Sequence, residues 1–157
     1  NEHMILATLF VGGVILIAFE LLHKEKPSDI TAMEQISYPR AALIGCFQSL
    51  AIVPGVSRSA ATIVGGMFLG VSRTSIVDFS FLLALPTMLA ASVLDILKHG
   101  SSVTSSEGGL LLVGFVVSFF VALVVIKWLL KYIQKHTFIA FGVYRIVAAA
   151  AFWLIIG

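Results

Sequence analysis

The sequence predicts an all-α integral membrane protein with four transmembrane helices and one re-entrant helix-loop-helix, and three observations predict it. The 157-residue chain is 59% hydrophobic and only 11% charged, where a soluble domain carries roughly a quarter charged residues. Several of its apolar runs approach or exceed the ~18 to 20 residues needed to cross a hydrocarbon core of ~30 Å. One long apolar run is cut in its middle by Pro54-Gly55-Val56-Ser57-Arg58-Ser59, a composition that breaks a continuous helix.

The first element, about residues 4–22, is apolar except for Glu20, and His23-Lys24-Glu25-Lys26-Pro27 ends it with charge and a helix breaker. The start, Asn1-Glu-His-Met, lacks the cationic region and small-residue cleavage site of a signal peptide, so this run is expected to be kept as a helix. With no initiator Met before Asn1, the chain is expected to be a fragment. Ser28 to Arg40 is polar and reads as a surface loop or short interfacial helix. About residues 41–70 form two arms of about 13 and 12 residues around the break, each too short to cross alone. Non-helical backbone at membrane depth is tolerated only where protein buries it or where it lines a watery cavity, and a re-entrant hairpin satisfies that rule.

The second span, about residues 76–97, carries Asp78 and a kink expected at Pro86. Lys98 to Gly108 is a Ser/Gly-rich loop. The third span covers about residues 109–130, with Lys127 near its end, and Lys131 to His136 forms a basic turn. The last span, about 138–156, is interrupted only by Arg145. All of it reads as a single membrane domain, residues 1–157.

Basic residues in short loops concentrate on the cytoplasmic side of a membrane. Placing Lys24, Lys26, Arg40, Arg73, Lys131 and Lys135 there leaves only Lys98 in a loop opposite. Both termini are then periplasmic, and the hairpin enters and leaves from the cytoplasm. A net charge of +2, with the basic residues dispersed between apolar runs, excludes a nucleic-acid surface. Cys46, the one cysteine, allows no internal disulfide and matches no metal-ligand spacing; it is expected to be a small buried apolar residue. No pair of carboxylates forms a metal site and no Ser-His-Asp order suggests a protease.

The break carries the chemistry. Ser57, Arg58, Ser59 and Thr62 put one cation and three hydroxyls directly before an apolar helix. Ser57 or Ser59 can cap that helix, whose free N–H groups and dipole favour an anion. Arg58 adds a planar fork of donors suited to phosphate, and Gly55 lets the backbone turn tightly beside a ligand. The plainer alternative is an ordinary helix cap with an arginine snorkelling to the headgroups. Against it, an arginine at this depth costs on the order of 3 kcal/mol and needs an anionic partner.

Other polar residues carry less. Glu20 is placed to pair with Lys24 at i+4. Arg145 either pairs with an acid such as Glu20 or Asp78, or adds positive field to the site. Gln48, six residues before the tip, bonds backbone or substrate. Asp78 and Asp95, near opposite ends of one span, read as interfacial.

With these residues in hand, the chain resembles the bacitracin-resistance type of undecaprenyl-diphosphate phosphatase over essentially its whole length. The resemblance rests on 45-GCFQSLAIVPGVSRSAATIVGG-66, on 70-GVSR-73 with 79-FSFLLALP-86, and on 143-VYRIVAAAA-151, in that order. One departure is Ala60, where the family commonly has Gly. The resemblance implies a fold of six transmembrane helices and two re-entrant hairpins in an inverted repeat, of which this chain is the C-terminal half with one hairpin tip. It implies that Arg58 clamps a diphosphate while Ser57, Ser59 and Thr62, with Gly55 and Gln48 nearby, bind its oxygens. The missing N-terminal half, bearing Glu-x-x-x-Glu and a Ser/His loop, would supply the acid/base or metal-binding groups and the nucleophile; this chain alone is expected to be inactive. A divalent cation (Mg or Ca) is implied, with no ligand assignable here. The implied reaction, in the bacterial inner membrane, converts a polyprenyl diphosphate to the monophosphate for cell-wall synthesis, with membrane lipids and a homo-oligomer as further partners.

Two other classes compete with that reading. A polyprenyl-phosphate flippase or transporter shares the architecture of broken helices at mid-membrane, and a purely structural subunit would need no anion site. The second lipid-phosphatase superfamily, which uses Ser-Arg-x5-His-x3-Asp, fails because Val64 stands where its His is required.

Overall fold

A computed structural model describes residues 2–24, 26, 29–99, 105–133 and 136–156. The described residues form six α-helices: α1 (Glu2–Leu22), α2 (Tyr38–Ser49), α3 (Arg58–Phe68), α4 (Arg73–His99), α5 (Ser105–Ile133) and α6 (Ile139–Ile156). α1, α4 and the Gly108–Ile133 stretch of α5 are long and apolar enough to cross a membrane, and α6 is a shorter apolar helix. Their outward faces carry large apolar side chains, among them Phe10, Leu89, Phe115 and Trp153. A helix that is apolar on its exposed face as well is matched to lipid as its solvent. The chain is therefore a helical membrane protein.

α1 and α6 run antiparallel and pack along their lengths. Their backbones touch where two glycines face each other: a Cβ on Gly13 would lie 2.8 Å from the Gly142 carbonyl, and one on Gly142 would lie 2.9 Å from that of Gly13. Small residues permit the close backbone approach on which helix association in lipid depends. Near the far end of the pair, the His3 and Trp153 rings meet at 5.7 Å.

Residues 38–68 form a helical hairpin. Pro39 in the first turn of α2 suits the helix start, where its missing N–H would be unpaired anyway. α2 ends in a short 3-10 turn, Leu50–Ile52, and Ser57 caps α3. Below the hairpin its two feet are laced together: Ile30 N–H donates to Gly70 O and Ser72 N–H to Ile30 O, both at 2.9 Å. Ile44 of α2, Ile63 and Met67 of α3, and Ile76 and Val77 of α4 form the core, joined by Leu16, Ile133 and Phe138.

One end of the molecule gathers the C-terminus of α1, the start of α4 and the approach to α6. Arg73 forms an ion pair with Glu20, donates to His136 O at 3.2 Å and stacks over the Phe138 ring at 5.3 Å.

That junction corrects the expected Glu20–Lys24 pair. α1 stops at Leu22, so Lys24 is not on the next helical turn, and Glu20 turns inward to Arg73 instead. Cys46 is also corrected: it is exposed. The face of α2 turned toward α3 is carried by Ile44, Phe47 and Gln48, spaced at helical i, i+3 and i+4, which leaves Cys46 on another side. Asp78 and Asp95 are exposed on α4, and α4 stays helical through Pro86. Pro27, Lys135 and the middle of the loop expected over 98–108 lie outside the described residues.

Candidate active site

The break between α2 and α3 is a turn held from outside the hairpin. Gly55 has φ +91°, a conformation open to glycine at little cost. A side chain there would also strike Thr8 Oγ1, and its Cβ would lie 2.7 Å from Ile5 O. Thr8 Oγ1 of α1 lies 2.6 Å from Pro54 O, closer than Met4 O at 2.9 Å and Ile5 O at 3.0 Å on its own helix, so its single proton goes to the turn. Arg145 of α6 donates through Nη2 to Gly55 O at 2.9 Å. Two consecutive carbonyls of the turn thus accept from two different helices.

Beyond the turn α3 begins. Ser57 has extended backbone and its Oγ accepts from Ala60 N–H at 3.3 Å, the expected cap geometry. The Ser57 and Ser59 hydroxyls lie 3.2 Å apart. Arg58, the first residue of α3, donates from Nη1 to Thr87 Oγ1 at 2.8 Å. Thr87 in turn lies within 3.1 Å of Leu83 O and 3.0 Å of Ala84 O, so its single proton goes back to its own helix while its oxygen holds the guanidinium.

Ser57, Arg58, Ser59 and Ala60 border a cavity of about 900 Å³ whose walls come from α1, α3, α4, α5 and α6. Ser57, Arg58, Ser59 and Arg145 supply a polar, cationic end. Leu85, Met88, Ile126, Leu129 and Phe141 are among the apolar residues that make up most of the rest. Such a space can take a molecule with an anionic head and a long apolar body. Two guanidiniums, hydroxyls and a helix N-terminus all favour negative charge at the same end.

Of the residues singled out from sequence, Ser57, Arg58 and Ser59 come together on the cavity wall. Gly55 shapes the turn behind them. Thr62 sits elsewhere: it is 1% exposed and lies 2.9 Å from Arg58 O and 3.2 Å from Gln48 Oε1. Four residues into α3 its side chain points to α2, so Thr62 and Gln48 tie the hairpin's arms together and do not line the cavity. Arg145 meets neither Glu20, which is engaged by Arg73, nor Asp78, which is exposed. It reaches the turn instead.

Two participants escaped the sequence reading. Thr8 is the one hydroxyl in an otherwise apolar stretch of α1, and Thr87 directly follows the proline inside α4. A hydroxyl beside an intramembrane proline was the available signal for the second.

A divalent cation finds no seat here. Among the described residues no three of His, Cys, Asp and Glu come together. The cavity's polar end offers guanidiniums, which repel a cation, and lacks the carboxylates a hard cation requires.

Helices of membrane-spanning length around a cavity with one anion-attracting end and apolar walls define a membrane protein suited to an anionic amphiphile. The chain belongs to the bacitracin resistance protein BacA family, which matches residues 1–151. It is 49% identical over 154 residues to an undecaprenyl-diphosphatase of Sulfurihydrogenibium sp., covering 98% of this chain and 61% of that protein. With the undecaprenyl-diphosphatase of Methanococcus aeolicus it shares 51% over 144 residues, 91% of this chain and 56% of the relative. With that of Aquifex aeolicus it shares 43% over 157 residues, 98% and 61% respectively. The chain spans about three fifths of the length of the curated relatives it matches.

Proposed function

We propose that this chain forms the diphosphate-binding part of an undecaprenyl-diphosphate phosphatase, which hydrolyses the lipid diphosphate to undecaprenyl phosphate and orthophosphate. The observation that carries this reading is the shared cavity, with Ser57, Arg58 and Ser59 at its polar end and apolar walls beyond. The name carried by these curated relatives agrees with it.

Arg58 grips the diphosphate, Ser57 and Ser59 donate to its oxygens, and the apolar walls receive the prenyl tail. In the net reaction a water oxygen bonds to the terminal phosphorus, and the bond from that phosphorus to the bridging oxygen breaks. The electron pair stays on the lipid phosphate, and the proton of the water passes to solvent. Charge spreads over the transferring phosphoryl oxygens, and fixed donors aimed at them stabilise it. Thr62 and Gln48 serve from behind by holding α3 against α2. A divalent cation and the groups that activate water would come from the part of the family's length outside these residues, the portion expected to bear Glu-x-x-x-Glu.

The same reading places the hairpin as a re-entrant element in an inner (plasma) membrane, within a single domain of four spans that is half of an inverted repeat. α2 and α3, 12 and 11 residues long, extend only about 18 and 17 Å at 1.5 Å per residue, short of a ~30 Å core. Their tip meets Thr8, about 21 Å of helix from the end of α1 where the hairpin's feet lie. The activity would return the lipid carrier to cell-wall synthesis, and oligomerisation is compatible with the broad exposed face of α5.

The test is release of orthophosphate from undecaprenyl diphosphate by the complete natural protein in detergent, compared with Arg58→Ala. Release by the parent and its collapse in the variant are expected. Movement of the lipid between leaflets with no phosphate release would overturn the reading in favour of a flippase.

A further inference from the structure

The register in which Arg58 and Ser57 face the cavity depends on the turn before them, and the shape of that turn is not set within the hairpin alone. Inside the break the local bond is Val56 N–H to Val53 O at 3.1 Å. The carbonyls of Pro54 and Gly55 are taken by Thr8 and Arg145, whose helices, α1 and α6, are packed together at Gly13 and Gly142. The arginine has a prepared place. A Cβ on Gly12 would lie 2.8 Å from Arg145 Nη2, with that guanidinium supplying its nearest neighbours, so the missing side chain makes room for it. Its Nε is buried with no hydrogen-bond partner among the described residues. A charge placed in so costly a position, and spent on one backbone carbonyl, points to a demand on the turn.

We infer that Thr8 and Arg145 are positioning residues: a two-point clamp from the α1–α6 pair that fixes the Pro54–Gly55 turn and thereby aims Ser57 and Arg58 at the phosphate. The inference rests on the phosphatase reading for its kinetic consequence and on geometry alone for its mechanical one. Clamp and anion site divide the labour. Arg58 supplies contact with substrate while Arg145 is turned to the Gly55 carbonyl and adds field without contact, so loss of the clamp changes ground-state binding little and lowers the rate of the chemical step, which needs the donors in register.

The experiment uses the complete natural protein with Thr8→Val, Arg145→Gln, Arg145→Lys, Gly12→Ala and the Thr8→Val/Arg145→Gln pair. Expected are falls in kcat of roughly tenfold for each of Thr8→Val and Arg145→Gln, the size of one lost hydrogen bond to a preorganised group, with KM within about twofold. The double variant should lose less than the product of the two, since both act on one turn. Arg145→Lys, which keeps a donor, should retain more activity than Arg145→Gln, and Gly12→Ala should lose activity with both clamp residues present. Independently of turnover, amide exchange at Val56 to Ser59 should quicken in Thr8→Val and Arg145→Gln while the α5 amides stay unchanged. A rise in KM without loss of kcat would make Arg145 a substrate contact and overturn the clamp. Fully multiplicative losses, or unchanged exchange at the turn, would overturn it too. A parent that releases no phosphate would sink the phosphatase reading, leaving exchange to decide the clamp.

Discussion

Arg58 and Thr87 are joined by a 2.8 Å hydrogen bond from the first residue of α3 to the position after Pro86 in α4. The guanidinium is thereby held by an uncharged oxygen and not by a carboxylate, so its charge remains available to an incoming anion. An acid in place of Thr87 would neutralise the site before substrate arrived.

Replacing Thr87 by valine keeps the side chain's shape and removes the acceptor. The complete enzyme should lose roughly tenfold in kcat/KM for the lipid diphosphate, as expected for one hydrogen bond to a charged group. Steady-state phosphate release measures this, and a parental value would show that Arg58 needs no tether.

Arg58→Ala should cost more. Removing one preorganised donor at a developing charge typically costs on the order of a hundredfold in rate. Arg58→Lys keeps the charge but loses the planar fork, and should fall between parent and alanine. Expression should be unaffected in both, because Arg58→Ala removes a charge from membrane depth and so eases insertion, and Arg58→Lys leaves the charge as it was. Folded Arg58→Ala enzyme turning over at the parental rate would assign the arginine a structural role.

Replacing Arg73 by alanine leaves Glu20, whose side chain is 5% exposed, without its ion-pair partner. Breaking a buried pair by deleting one member costs about 3 kcal/mol or more, which a denaturant titration of the purified protein would register. Removing both partners should cost less than the sum of the single changes. Strict additivity would show that the pair contributes nothing.

Topology is testable with thiol reagents. In a Cys46→Ala background, needed because Cys46 is exposed, cysteines at positions 102 and 131 should react with an impermeant label from opposite faces of the membrane. Reaction of both from one face would overturn the four-span arrangement.

The break at Pro54 to Ser59, a hydroxyl cap at Ser57 or Ser59 and the approximate course of α1 and α4 are legible because each is written in local spacing: apolar runs, a proline, a hydroxyl ahead of a helix. The direction in which polar side chains turn is not. Glu20 finds Arg73 53 residues away, Arg58 finds Thr87 29 residues away, and Arg145 finds Gly55 90 residues away. No periodicity encodes such pairings. Thr62 illustrates the same limit at short range, for whether its hydroxyl faced the ligand or α2 depended on how the hairpin closed.

The contact of α1 with α6 also sets an order of assembly. Thr8 is made early and Arg145 late, so at 5–20 residues per second roughly ten seconds of translation separate the two halves of the grip on the turn. From the completion of α3 at Phe68 until Arg145 is made, the hairpin is complete in sequence yet lacks one of its two holds. On the proposed clamp, the anion site matures only when α6 packs against α1 at Gly13. A lesion at Gly142 would leave Ser57, Arg58 and Ser59 unaltered in sequence yet without the fixed turn that aims them, and the chain would stop as an assembly intermediate that never closes.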